Sequence, residues 1–244
     1  MARKNPTPVA LITGASKRIG RHIALHLASE GFSIALHYNS SRKEAEKTAR
    51  EMERYGVRCA LFQANLEKAQ QVKNLVGRVL KKFHRLDVLV NNASIYLPSM
   101  FPQDSFELLQ KHININFYAP YLLSQEMAKR VKRGHIINLL DTNVVHTSSR
   151  YFDYLLSKKV LLEFTRMAAV SLAPMIRVNG IAPGLILPPE GHKEGYLDKR
   201  AKDVPLKRKG NPKHIALAVD YLIKNDFVTG EMLFVDGGEH LKEG

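Results

Sequence analysis

Short apolar runs and longer amphipathic stretches take turns along this chain. Val9 to Thr13 is an unbroken run that predicts a buried strand. Beyond it, Ile19, Ile23 and Leu27 recur every four residues, marking one face of a helix that stops at Gly31. Phe32 to Tyr38 predicts a second strand. Ser41, followed three residues later by Glu44, reads as a capping box that opens a charged helix ending at Gly56. Val57 to Phe62 predicts a third strand, and Val72, Leu75, Val76, Val79, Leu80 and Phe83 mark the next helix face. Further strands are expected at Asp87–Val90, His135–Leu140, Ile176–Ile181 and Met232–Val235, with long helices near 114–132 and 152–173.

Seven strands alternating with six helical segments require crossover connections. These imply an α/β fold with a mostly parallel, doubly wound sheet covered on both faces, of expected strand order 3-2-1-4-5-6-7. No linker, repeat or low-complexity tract divides the chain. Residues 1–244 are therefore read as one domain, with a cofactor half over roughly 7–135 and a catalytic and substrate half over roughly 136–244.

Composition narrows the class. The 244 residues are 45% hydrophobic, which excludes intrinsic disorder, and the single cysteine, Cys59, excludes an internal disulfide framework and suits a reducing compartment. No stretch of about 18 apolar residues predicts a membrane span. The basic start, Met1 to Pro6, leads into an apolar run too short for a signal peptide. The expectation is a soluble cytoplasmic protein.

Lys and Arg outnumber Asp and Glu by 37 to 23, a net charge of +14, so nucleic-acid binding has to be weighed. The basic residues are spread over the whole chain. The densest knots, Lys129-Arg130 with Lys132-Arg133 and Lys207 to Lys209, carry few interleaved aromatics. A solvated basic surface is the simpler reading, with nucleic acid an unlikely partner.

Candidate chemistry begins directly after the first strand, at Gly14, Lys17, Arg18, Ile19 and Gly20. A glycine turn between a first strand and a helix aims backbone N–H groups and the positive helix end at a pyrophosphate, although the spacing is not G-x-G-x-x-G. After strand two stand His37, Tyr38, Asn39, Ser40, Ser41 and Arg42, with no carboxylate to bind a ribose 2′-hydroxyl. Hydroxyl donors and the cations Lys17, Arg18 and Arg42 suit a 2′-phosphate instead, so NADP(H) is the expected cofactor. His22 and His26 share a helix face with no third ligand apparent, and no metal site is expected.

Tyr154 and Lys158 stand one helical turn apart on the same face. That spacing alone carries little. Taken in order, though, Thr13-Gly14 with Gly20, then Asn91 to Ser94, Asn116, Tyr154 with Lys158, Pro183-Gly184 and Asp236 to Gly238 resemble the short-chain dehydrogenase/reductase family over essentially the whole chain. The resemblance implies a Rossmann-type fold and an NADP-dependent oxidoreductase. It makes Tyr154 the general acid, Lys158 the group that lowers the phenol's pKa and binds the nicotinamide ribose, and Asn116 the holder of a relay water. By the same resemblance Asn65, Leu66, Asn92, Ala93, Ser94, Pro183, Gly184 and Leu185 contribute to the cofactor site, and the chain forms a homo-oligomer, a tetramer favoured, through the helices near 114–132 and 152–173.

One departure is informative. Thirteen residues before the tyrosine the family normally has Ser, and here Asp141 stands there, with Thr142 one place later as the alternative hydroxyl. An Asp at this place, and Arg18 in place of a central glycine, resemble the pteridine reductases and dihydromonapterin reductases. The implied reaction is hydride transfer to a pterin or dihydrofolate-like C=N ring. Tyr154 and Asp141 would deliver the proton, the carboxyl being raised in pKa by burial, and Tyr96 would stack on the ring while Arg18 and Ser94 reach the pterin or the cofactor phosphates. The alternatives are a generic carbonyl reductase acting on a ketone and, more remotely, a redox-inactive NADP-binding or nucleic-acid-binding protein. The loop Leu185–His192 has little assignable chemistry.

Overall fold

All seven expected strands lie in one parallel sheet of order β3-β2-β1-β4-β5-β6-β7 in the computed structural model, which describes residues 7–189, 191 and 195–241. Met1 to Pro6, and Glu190 and His192 of the loop after Leu185, lie outside the described residues. The strands are β1 (Val9–Ile12), β2 (Ser33–Tyr38), β3 (Cys59–Gln63), β4 (Val88–Asn91), β5 (Gly134–Leu139), β6 (Ile176–Pro183) and β7 (Met232–Val235). The helices are α1 (Arg18–Ser29), α2 (Arg42–Met52), α3 (Ala69–Phe83), α4 (Phe106–Ile113), α5 (Ala119–Arg130), α6 (Phe152–Leu172), α7 (Tyr196–Ala201) and α8 (Pro212–Lys224).

The two-residue period of the strands explains why both faces are apolar. Ala10, Ile12, Ile34, Leu36, Val88 and Val90 point to the layer holding α1, α2 and α8. Val9, Leu11, Ala35 and Leu89 point the other way, onto α3 and α5. The sheet order reverses at β1, so the strand ends of β1 and β4 border a crevice, the usual ligand position in such sheets.

Two local expectations are corrected. Ser41 precedes α2 as anticipated, but its side chain caps nothing, because its backbone (φ −84°, ψ 61°) leaves the extended region a capping residue uses. The reciprocal box lies at α8, where Asn211 accepts from Lys213 N while His214 accepts from Asn211 N. The helix expected near 114–132 is broken: α4 runs through one π-helical turn, Asn114–Tyr118, before α5 begins. Pro120 has no N–H for the Asn116 carbonyl four residues back, which favours the wider turn.

Candidate active site

The turn after β1 is held from behind. His37 is 1% exposed; its Nδ1 accepts from Gly14 N at 3.1 Å and its Nε2 lies 3.0 Å from Ala64 O. These partners require the neutral ring protonated at Nε2, and burial pushes its pKa down to about 4. Both nitrogens are used inside the protein, so His37 shapes the turn rather than meeting a phosphate. Asn92 braces the other side, its amide donating to Thr13 O at 2.7 Å and Gly14 O at 3.2 Å, while Thr13 Oγ1 accepts from Asn92 N and Ala93 N. Gly20 has no room for a Cβ, which would stand 2.4 Å from Gly14 O and 2.5 Å from Asn92 Nδ2.

Other expected cofactor residues divide by burial. Tyr38 and Leu66 are core side chains, and Ile19 packs partly against the core, so these three would meet a ligand mainly through backbone. Asn39, Ser40 and Lys17 are exposed at the crevice rim. Arg42 pairs with Glu46 on its own helix at 2.9 Å, an exposed pair of little strength. Asn65 Oδ1 accepts from Glu67 N. Gly184 N donates to Val235 O, and Leu185 is buried with its carbonyl accepting from Gly210 N. Arg18 is the first residue of α1 at φ +55°, in the left-handed region that a glycine would occupy without strain, and its guanidinium donates to Pro188 O at 2.5 Å.

The catalytic candidates converge at the ends of β5 and α6. Tyr154 Oη donates to Asp141 Oδ2 at 2.8 Å. Asp141 Oδ1 accepts from Asn143 N and Asn143 Nδ2, both at 2.8 Å, as the cap of a short 3-10 turn, Thr142–Val145. Thr142 points away and donates to Asp236 Oδ2 at 2.6 Å. The carboxylate, not the hydroxyl, is therefore the group beside the phenol. Lys158 is 3% exposed and donates to Leu139 O at 2.7 Å; burial pulls its pKa down to about 8, with the Asp141 charge opposing. The phenol moves the opposite way from the expectation. Burial, and then the charge and hydrogen bond of Asp141, hold the Tyr154 pKa well above its ordinary range.

Asn116, fully buried, lies in the π-helical turn. Its Oδ1 accepts from Ser94 Oγ and Ile95 N, and its Nδ2 donates to Ile95 O and Ser157 Oγ. The amide is thus spent on fixing the Ser94–Ile95 segment. Tyr96 stands at the mouth, 40% exposed, with its ring edge-on to Tyr154 at 4.7 Å. One of its faces is covered by Tyr151, at 4.1 Å between centroids and 10° between planes. Sequence reasoning missed Tyr151, Ser157 and the bracing role of His37; Tyr151 lies just before α6 in the left-handed region (φ +55°), where helical spacing gives no signal.

Comparison with known proteins supplies the family and the fold. A family model described as enoyl-(acyl carrier protein) reductase matches residues 14–240. The 3-oxoacyl-[acyl-carrier-protein] reductase FabG of Staphylococcus epidermidis is 33% identical over 240 residues, covering 95% of this chain and 98% of that protein. Two solved structures are similar throughout. FolM alternative dihydrofolate reductase 1 from Brucella canis, complexed with NADP, is 34% identical with a TM-score of 0.90, covering 99% of this chain and 97% of that one. Its counterpart from Brucella suis, also with NADP, is 34% identical with a TM-score of 0.92, covering 98% and 96%. The fold and the Tyr–Lys site define an oxidoreductase built on a dinucleotide-binding sheet. The chain belongs to the short-chain dehydrogenase/reductase family.

Proposed function

We propose that this NADP-dependent oxidoreductase reduces a pterin or dihydrofolate-like ring at a C=N bond. The observation that carries the reading is the 2.8 Å bond between Tyr154 and Asp141, with Thr142 turned away. The residues suit NADP(H): a glycine turn at a helix N-terminus, Lys17 and Arg18 in that turn, hydroxyls at Ser40 and Ser41, and no carboxylate after β2. Lys158 has one acceptor among the described residues, Leu139 O, and its remaining donors suit ribose hydroxyls.

When bound, the reduced cofactor supplies hydride to the ring carbon. Tyr154, kept neutral by its raised pKa, gives its proton to the ring nitrogen. Asp141 accepts the phenol's hydrogen bond, and its half-buried carboxyl returns a proton from solvent to the phenolate after each turnover. Asn116, with its amide occupied, holds the relay water by its main-chain carbonyl, which Pro120 cannot bond. Tyr96 offers its uncovered face to a planar ring, Ser94 and Arg18 border that slot, and the enzyme acts in the cytoplasm as a homotetramer.

The test is NADPH oxidation with a panel of oxidised and dihydro pterins and dihydrofolate, beside a simple ketone. Tyr154→Phe is expected to lower kcat roughly 100- to 10,000-fold. Asp141→Ser is expected to lower pterin turnover at least about ten-fold, the order a lost proton-transfer group commands, while sparing the ketone. Unchanged pterin turnover in Asp141→Ser would remove the main support. The likeness to 3-oxoacyl-[acyl-carrier-protein] reductases favours a second reading, a carbonyl reductase, which brisk ketone and absent pterin turnover would select.

A further inference from the structure

Asp236, at the end of β7, lies 94 positions beyond Thr142, yet its carboxylate is bonded to Thr142, the residue that follows Asp141. Its Oδ2 accepts from Thr142 Oγ1 at 2.6 Å, from His240 N at 2.8 Å and lies 2.8 Å from His240 Nδ1; its Oδ1 accepts from Gly238 N at 2.9 Å. Thr142 is 2% and Asp236 8% exposed. Asp141 is extended (φ −152°, ψ 145°), so successive side chains leave its strand end on opposite sides. Asp141 faces Tyr154, and Thr142 faces Asp236. The 3-10 turn that caps on Asp141 is held at its other end by Lys159, whose Nζ donates to Val144 O at 2.7 Å. Burial raises the Asp236 pKa, but the bonds from Thr142, His240 and Gly238 outweigh it and keep the carboxyl below its usual range, a charged acceptor for Thr142.

We propose that Asp236 and Thr142 are positioning residues: their buried hydrogen bond sets the direction of the Asp141 carboxylate and so the Tyr154–Asp141 contact through which the proton is delivered. The inference rests on the reading of Asp141 as a proton-delivery group. Asp236 touches neither Tyr154 nor Lys158. It acts by locking the backbone of residue 142, and with it the strand end that carries residue 141. Gly184 packs closely against Asp236, since a Cβ on Gly184 would stand 2.5 Å from Asp236 Cβ.

The experiment compares wild type, Thr142→Val, Thr142→Ser and Asp236→Asn on whichever substrate the wild-type enzyme turns over. Measured quantities are the pH profile of kcat, KM, the Kd for NADPH by fluorescence and Tm. Thr142→Val keeps the shape and removes the donor, so kcat should fall about ten-fold, with its pH limb displaced and the NADPH Kd within two-fold. Thr142→Ser, which restores the hydroxyl, should recover both the rate and the profile, and Asp236→Asn should shift the limb as Thr142→Val does. The proposal is overturned by a wild-type pH profile in Thr142→Val, by failure of Thr142→Ser to rescue, or by a rate loss that only follows a lower Tm. Absence of pterin turnover by the wild-type enzyme would instead count against the proposed substrate.

Discussion

His37 and His135 hold neutral rings where a charge cannot be solvated. Burial takes His37 to about 4; burial, with the Arg177 guanidinium adding to it, takes His135 to about 3. In the unfolded chain both return to about 6.5, so the unfolded state binds more protons at acidic pH. The stability these rings contribute is present above about pH 6.5 and is lost as pH falls towards 4 for His37 and 3 for His135. At pH 5 each should have cost the fold about 2 kcal/mol. Urea unfolding at pH 7 and pH 5 measures this: the midpoint should drop, and His37→Gln should flatten the dependence, whereas an unchanged pH slope in that variant would refute the assignment. Residue identities were legible where chemistry is local. Tyr154 and Lys158 were legible through the order of motifs around them rather than through their spacing alone, and Asp141 through its distance from Tyr154 within that pattern. The electrostatic consequence was not legible: a phenol pulled down by Lys158 was expected, whereas burial and a bonded carboxylate raise it. Sequence spacing carries no information on desolvation.

Elements were read more reliably than the contacts between them. The strands followed from apolar runs that both faces of a covered sheet require, and β7 spans the expected residues while the others shift by one or two at their ends. The capping box at Ser41 failed because the motif fixes residue types and not the backbone angles that aim the hydroxyl. The π-helical turn was hidden for another reason. Its cause, Pro120, looks like an ordinary first-turn proline until the chain is seen to be helical on both sides of it. At the level of the β1–α1 connection, Gly20 is demanded by packing. An alanine Cβ would meet backbone oxygen and a bonded amide, neither of which is a flexible side-chain end. Gly20→Ala should therefore destabilise the protein by about 1–3 kcal/mol. By opening the turn that receives the pyrophosphate, it should also weaken NADPH binding by more than ten-fold. Denaturant midpoints and NADPH titration measure the two effects, and tight NADPH binding in a destabilised variant would separate the packing role from the cofactor role.

At the scale of the molecule, 37 basic residues stand against 23 acidic ones; Lys17, Arg18, Arg42, Lys158 and Lys159 are among those tied by position to the crevice or its catalytic end. The apolar surface is more concentrated. Phe117, Tyr121 and Phe164 form one aromatic cluster across α5, α6 and the π-helical turn, with ring centroids 5.4–6.1 Å apart. On the outer side of α6, Met167 is 69% and Val170 82% exposed. A helix whose sheet-facing side is already filled by Ala168 and Ala169 has no intrachain use for those two side chains. A second copy presenting the same face would bury them in a two-fold contact, which is the assembly proposed above. Light scattering coupled to size exclusion should then give the mass of a tetramer for the wild-type chain. Met167→Lys combined with Val170→Lys should reduce that mass to a dimer or monomer, because like charges would have to be buried against one another without a partner across the axis. Both substitutions sit on the surface of one protomer, so the far-ultraviolet circular dichroism should be unchanged. A wild-type protein that elutes as a monomer, or a double variant that keeps the full tetramer mass, would show that this face is not the one that assembles.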